Sequence, residues 1–169
     1  MESSIQEITS DDQIEVSVTI VKEAFGTVAK EFNLTKDNCP THPSFVTFEQ
    51  LKGLQAKGQC FFGLFDYGQQ VGFVAIERAD EATCYLEKLA VIPQVRHRGF
   101  GRRLVSFALD RAAKQGATIV SIGTIHEHTV LKEWYKRFGF VETGTKRFAH
   151  LPFTVCFMDF TLEKRPLLR

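Results

Sequence analysis

The sequence predicts an α+β domain built on one mixed, mainly antiparallel sheet of about seven strands with about four helices. Three observations carry that expectation. Short β-rich runs alternate with segments of helical period in the order β-α-α-β-β-β-α-β-α-β-β. Two strands in the first half lie close enough to form a hairpin, while a later pair is separated by a helix that can carry the chain across for parallel pairing. No repeat, low-complexity stretch or linker interrupts the 169 residues, so residues 1–169 are expected to form a single domain.

Residues 3–9 read as a first strand, followed by the helix-opening cluster Ser10-Asp11-Asp12. Ile14, Val18, Val21, Phe25, Val28 and Phe32 then recur at steps of three and four, an apolar stripe that stops near Asn33. A proline-punctuated loop follows, and Thr47-Phe48-Glu49-Gln50 reads as a capping box opening a helix through about Ala56. Residues 59–65 and 71–78 form a hairpin around a Gly-containing loop, residues 66–70. Residues 83–91 (TCYLEKLAV) are a strand stopped by Ile92-Pro93. After a glycine-rich turn, Leu104, Val105, Ala108, Leu109 and Ala112 keep a helical period up to the stop at Gly116. Residues 118–125 are a strongly apolar strand, and residues 129–138 a short helix ended by Gly139. Two last strands, 140–147 and 154–162, flank the segment Phe148-Ala149-His150-Leu151-Pro152, and the tail EKRPLLR is expected to fray.

Composition excludes several classes. Hydrophobic residues at 44% and charged residues at 24% are wrong for a disordered chain. A net charge of +1 gives no overall pull toward nucleic acid or an anionic membrane, and no apolar run approaches the ~20 residues that span a bilayer. The acidic, polar start MESSIQEITSDDQ does not read as a secretory signal. Cys39, Cys60, Cys84 and Cys156 are widely spaced without a C-x-x-C pair, so neither a zinc site nor a secreted disulfide framework is expected. Three of them sit inside hydrophobic strand-like runs and read as small buried hydrophobes; the expected compartment is a reducing cytoplasm, and no metal is expected.

The chemistry concentrates at Arg96-His97-Arg98-Gly99-Phe100-Gly101, between a strand and a helix start. Glycines let the backbone approach a ligand, and the first N–H groups of the helix point outward unpaired. Arg96, Arg98, Arg102 and Arg103 add charge suited to phosphates. A Walker A loop would need Lys-Ser/Thr where Arg102-Arg103 stand, and a dinucleotide fingerprint would need a third glycine at Leu104. An RNA-binding reading of RHRGFGRR has no second basic-aromatic segment to support it. A pyrophosphate fits the turn.

These residues resemble the GNAT N-acetyltransferases, whose signature Q/R-x-x-G-x-G/A is matched in full by Arg96–Gly101. The upstream LEKLAVIP and the helix WYKRFGF (134–140) are also similar to that family, and element order agrees from about Ser3 to Leu162. The resemblance implies the family's acyl-CoA N-acyltransferase fold, with acetyl-CoA as cosubstrate and a small-molecule or peptide amine as acceptor. Backbone amides of Arg98, Gly99, Phe100, Gly101 and Arg102, with Arg96, would hold the CoA pyrophosphate. Leu89, Ala90 and Val91 would pair with the pantetheine arm. Tyr135 would protonate the leaving thiolate. Where the family often carries an asparagine on the cofactor arm, this chain has His128.

Direct transfer needs a deprotonated amine, an electrophilic carbonyl and a stabilised leaving group, but no protein nucleophile. Glu87, an acid in an otherwise apolar strand, is the first candidate for general base, against a surface pairing with Lys88 or Arg78. His126, His128, His42 and His150 are further candidates in polar loops, and Tyr135 can equally be a half-buried aromatic on a stripe with Leu131 and Phe138. The loops 35–45 and 146–153 would flank the acceptor. Two readings from other classes stay open, a non-catalytic acyl-CoA-binding domain and a nucleic-acid module. The exposed edge of the last strands offers a place for a homodimer to pair.

Overall fold

The computed structural model describes residues 3–163; the end of the tail, residues 164–169, expected to fray, lies outside the described residues. Seven strands and four α-helices follow the expected order. They are β1 (Ser4–Ile8), α1 (Asp11–Glu31), α2 (Phe48–Ala56), β2 (Cys60–Asp66), β3 (Gln69–Arg78), β4 (Thr83–Val91), α3 (Phe100–Lys114), β5 (Ile119–Ile125), α4 (Thr129–Phe138), β6 (Val141–Arg147) and β7 (Thr154–Thr161). The strands form one sheet in the order β1-β2-β3-β4-β5-β7-β6. Among the described residues only the β4–β5 pair is parallel, and α3 carries the chain between them.

Both capping signals act as the sequence predicts. Ser10 and Gln13 cap α1 reciprocally (Gln13 N to Ser10 Oγ 3.3 Å, Ser10 N to Gln13 Oε1 3.1 Å), and Thr47 and Gln50 do the same for α2. The first hairpin is tighter than expected. Its turn is Tyr67-Gly68 alone, both left-handed at φ 50° and 78°, the twist that suits a two-residue connection. The polar Gln69 and Gln70 hid the start of β3.

The sheet buries apolar side chains on both faces. One face packs on α3 and α4 through Leu86, Leu104, Val105, Val120, Tyr135, Phe140 and Met158. The other packs on α1 and α2 through Ile8, Ile14, Val21, Leu51, Phe61, Phe73 and Ala90. A third, smaller cluster joins Ala29, Leu34, Cys39 and Ile125, with Leu151 and Phe153 against it. It fixes the loops after α1 and before β7 beside each other. Each large side chain so buried contributes about 1.5–3 kcal/mol.

The apolar stripe of α1 splits in two. Its core face is Ile14, Ser17, Ile20, Val21 and Ala24, a step round from the expected line, whereas Phe25 and Val28 turn to a cleft. β6 is one edge of the sheet, and all its residues are exposed.

Candidate active site

The cleft exists because two strands part. β4 and β5 pair only from Thr83 to Tyr85 against Ile119 to Ser121, so the last residues of β4 face β5 across a gap. The gap widens into a cleft of about 1190 Å³. Leu86–Leu89 and Val91 line one wall, Ser121–Ile125 the other. The glycine turn, α4, Phe25, His42 and Phe153 complete its lining.

A bulge sets the faces of β4. Phe73 pairs with Ala90 and Ala75 with Glu87, so three steps on β4 match two on β3. Lys88 takes up the extra residue at φ 51°, left-handed backbone that a side-chain-bearing residue seldom adopts. Regular alternation would put Glu87 and Ala90 on opposite faces. With the bulge both lie on the α1–α2 face, while Leu86 and Leu89 both pack on the α3–α4 side. This settles the orientation that the sequence left open. Glu87 lines the cleft, and its Oε2 accepts from Gln59 Nε2 at 2.9 Å, with Lys88 Nζ 3.7 Å away. The same Gln59 nitrogen also reaches Glu77 Oε2 at 3.1 Å. Gln59 is buried, and its Oε1 has no partner among the described residues.

Tyr135 comes from the other face. It is buried on α4 between the rings of Trp134 and Phe140, with centroids 5.0 and 5.4 Å away, and it lines the same cleft. Burial raises its phenol well above the ordinary value, so it stays protonated at any physiological pH. A protonated phenol and a carboxylate thus approach one gap from opposite sides of the sheet.

The turn that opens α3 has the form of an anion site. His97 and Gly99 are left-handed at φ 65° and 83°, and Gly99 is the N-cap with no side chain capping the helix. The first bond back into the helix is Arg103 N to Gly99 O at 3.0 Å, so the amides of Phe100, Gly101 and Arg102 have no helical partner. A Cβ on Gly101 would meet Trp134 at 3.4 Å, so the turn sits tightly against α4. The arginines divide their work. Arg96 is spent within the protein: Nε donates to Val91 O (3.1 Å), Nη2 to Ala24 O (2.9 Å) and Nη1 to Thr27 Oγ1 (3.1 Å). Arg98 lies over Phe100 and pairs with Asp66 at 3.2 Å, Arg103 reaches Ser3 O at 3.2 Å, and Arg102 lies over Phe138. Ala90 turns its side chain into the α1 core, leaving its backbone on the strand, while Leu89 and Val91 stay half-buried at the cleft wall.

The histidines differ. His128 is the N-cap of α4, its Nδ1 accepting from Leu131 N at 3.4 Å, and its ring meets Phe32 at the cleft. His42 is buried in the cleft wall, and burial pushes its imidazole down to about 4. His126 faces away into a cluster. Its Nδ1 lies 3.2 Å from Lys132 Nζ, which also bonds Glu142 Oε1 at 2.9 Å, and Cys156 Sγ reaches that oxygen at 3.4 Å. The three potential metal ligands lie within 4.8 Å of one another, yet the ammonium of Lys132 supplies the cation there. Hydrogen bonds from Lys132 and then Cys156 hold the Glu142 carboxyl below its ordinary value. His150 meets Phe148 edge-on, with ring centroids 5.7 Å apart, and is not among the residues lining the cleft. Cys39, Cys84 and Cys156 are buried, with burial raising each thiol, so none is poised as a nucleophile. Sequence reasoning missed Gln59 and Lys132, since a lone polar residue at a strand start or on an exposed-looking helix gives no signal. Among the described residues no helix is long and apolar enough to cross a membrane.

Comparison with known proteins agrees with this geometry. The profile of the family described as Acetyltransferase (GNAT) family matches residues 26–140. An uncharacterized N-acetyltransferase of Methanocaldococcus jannaschii is 36% identical over 83 residues, 44% of this chain. The match spans only 36% of that relative's length. Among solved structures, an Escherichia coli N-acetyltransferase named for a ribosomal-protein alanine superposes with a TM-score of 0.77 at 15% identity, covering 99% of both chains. The PaiA N-acetyltransferase of Thermoplasma acidophilum, in complex with coenzyme A, gives 0.72 at 15% identity over 96% of this chain and 100% of that one. At such identities the likeness is one of fold.

Proposed function

This chain belongs to the GNAT acetyltransferase family, and from that premise we propose that it transfers an acetyl group from acetyl-CoA to a primary amine. One observation carries the reading: an uncapped helix start opens onto a cleft that a protonated phenol and a carboxylate enter from opposite faces of the sheet. The free amides from Phe100 to Arg102 fit a pyrophosphate, with Arg98 and Arg102 beside them, and the gap beside Leu89–Val91 fits an extended arm. Arg96 supports this cradle by fixing the turn to α1. His128 uses Nδ1 to cap α4, so its Nε2–H is left to donate to the arm in place of an amide side chain.

Acetyl-CoA supplies a thioester. The protein orients it along β4 and holds the protons. A protonated amine has no lone pair, so Glu87, directly or through a water, takes its proton. As the amine nitrogen bonds the acyl carbon and the carbon–sulfur bond breaks, Tyr135 gives its proton to the departing sulfur, and the second proton that the nitrogen sheds in becoming an amide returns to the phenolate. Proximity within the cleft supplies much of the acceleration. Gln59 orients Glu87 by its 2.9 Å bond. The expected compartment is the cytoplasm, where three buried thiols remain reduced.

Thiol release from acetyl-CoA with a panel of amines tests the reading. Release that depends on the amine is expected. Tight acetyl-CoA binding with no release on any amine would instead favour a sensing domain.

A further inference from the structure

We propose that His42 is an Nε2–H donor that reads a peptide carbonyl of the acceptor, so that the amine acetylated belongs to a peptide. The proposal rests on the acetyl-transfer reading and deepens it at the acceptor end.

The tautomer follows from a hydrogen bond. Ser44 N, which can only donate, points at His42 Nδ1 at 3.3 Å, and Ser44 Oγ lies 2.7 Å from the same nitrogen. Nδ1 therefore presents its lone pair, and the neutral ring carries its proton on Nε2. Burial holds the imidazole neutral far below physiological pH. In this form His42 is a donor and not a base.

The donor has no use within the protein. His42 is 7% exposed and lines the cleft, yet no bond to Nε2 is present among the described residues. Nε2 is also absent from the sealed polar atoms without partners, of which Gln59 Oε1 is the single case among the described residues. Its N–H is thus left open to the cleft, where a ligand can accept it. The ring packs edge-on against Phe25 of α1 and Phe45 of its own turn, both uncharged, with centroids 5.7 and 6.4 Å away.

These surroundings select the acceptor atom. A free carboxylate would be stripped of water beside aromatic rings and a neutral donor, with no counter-charge supplied by the ring. An amide carbonyl loses far less and satisfies the N–H. Phe25 and Phe153 offer apolar surface to a side chain beside that carbonyl, and Glu87 on the same cleft takes the amine. An amine, a neighbouring amide carbonyl and an apolar side chain together describe the free end of a peptide.

The test compares three acceptors of similar size: a lysine-free dipeptide amide, the matching free amino acid and the matching alkylamine. The wild type is expected to favour the dipeptide amide. His42→Phe keeps the ring's shape without a donor and should lower kcat/KM for the dipeptide amide about 10- to 100-fold, leaving the alkylamine unchanged. His42→Gln restores a donor and should recover most of the loss. Acetyl-CoA affinity of both variants checks that they fold. Imidazole nitrogen NMR of the wild type should find the Nε2–H tautomer, with Nε2 shifting when the dipeptide amide is added. An Nδ1–H tautomer, equal loss on dipeptide and alkylamine, or no preference for the dipeptide would overturn the proposal. Should no amine release thiol, the transfer reading fails, and the nitrogen shift on peptide addition still decides the role of His42.

Discussion

At the glycine turn it is the backbone that meets the cleft, whereas elsewhere on the cleft wall it is side chains. His97 and Gly99 bend one short stretch of chain until successive amides face inward, and no side chain completes the helix start. Across the cleft, Phe25, His42, Glu87 and Phe153 arrive from four separate segments and act through their functional groups. The contrast teaches what each end can recognise. Unpartnered amides accept any well-placed anion, so that end suits a part common to every turnover. Side chains gathered from distant segments can discriminate, so on the proposed reading acceptor specificity is expected from them.

Tyr135 is the proposed proton donor, and its removal should have the largest effect. Tyr135→Phe is expected to lower kcat at least about 100-fold while acetyl-CoA affinity holds, measured by steady-state kinetics beside calorimetry. Because burial raises the phenol, the wild-type rate should show no alkaline decline from this group below pH 10. Gly99→Val strikes the backbone end alone. Forcing a β-branched residue into φ 83° displaces the amides, and acetyl-CoA affinity should fall about 100-fold with the ranking of acceptors unchanged. If the ranking changed too, the ends would not be separable. Gln59→Leu strikes the other end, freeing Glu87 and Glu77 from their shared donor. A roughly tenfold fall in kcat/KM for the amine is expected, with acetyl-CoA affinity intact.

The smallest effect is on stability. His42 is held near 4 in the fold against an ordinary 6.5, so between those values the unfolded chain binds more protons. The His42 contribution is complete above about 6.5 and is lost as pH falls toward 4. Thermal unfolding between pH 7 and 5 should therefore show a decline in Tm that His42→Gln makes shallower.

The same contrast explains what could be read from the chain. The turn is one contiguous stretch, so its glycines and arginines stand together in the sequence and announce an anion site. The order of strands and helices was legible for the same local reason, through the capping pairs Ser10–Gln13 and Thr47–Gln50 and the stop at Gly139. The face of Glu87 was not, because it depends on one left-handed torsion at Lys88, and a lysine carries no mark of that conformation. Nor was the use of Arg96, which sits inside the phosphate motif yet bonds α1. The tautomer of His42 depends on a serine two residues on and on burial that only the folded chain creates.

Arg96 has a mechanical consequence. Its guanidinium ties the end of β4 to Ala24 and Thr27, the residues on either side of the stretch that holds Phe25 and Gly26. The turn proposed to cradle the cofactor and the helix that lines the cleft beside it are thereby joined through one guanidinium. On the proposed reading, a shift of the turn as the cofactor binds is expected to reach the Phe25 stretch through these bonds.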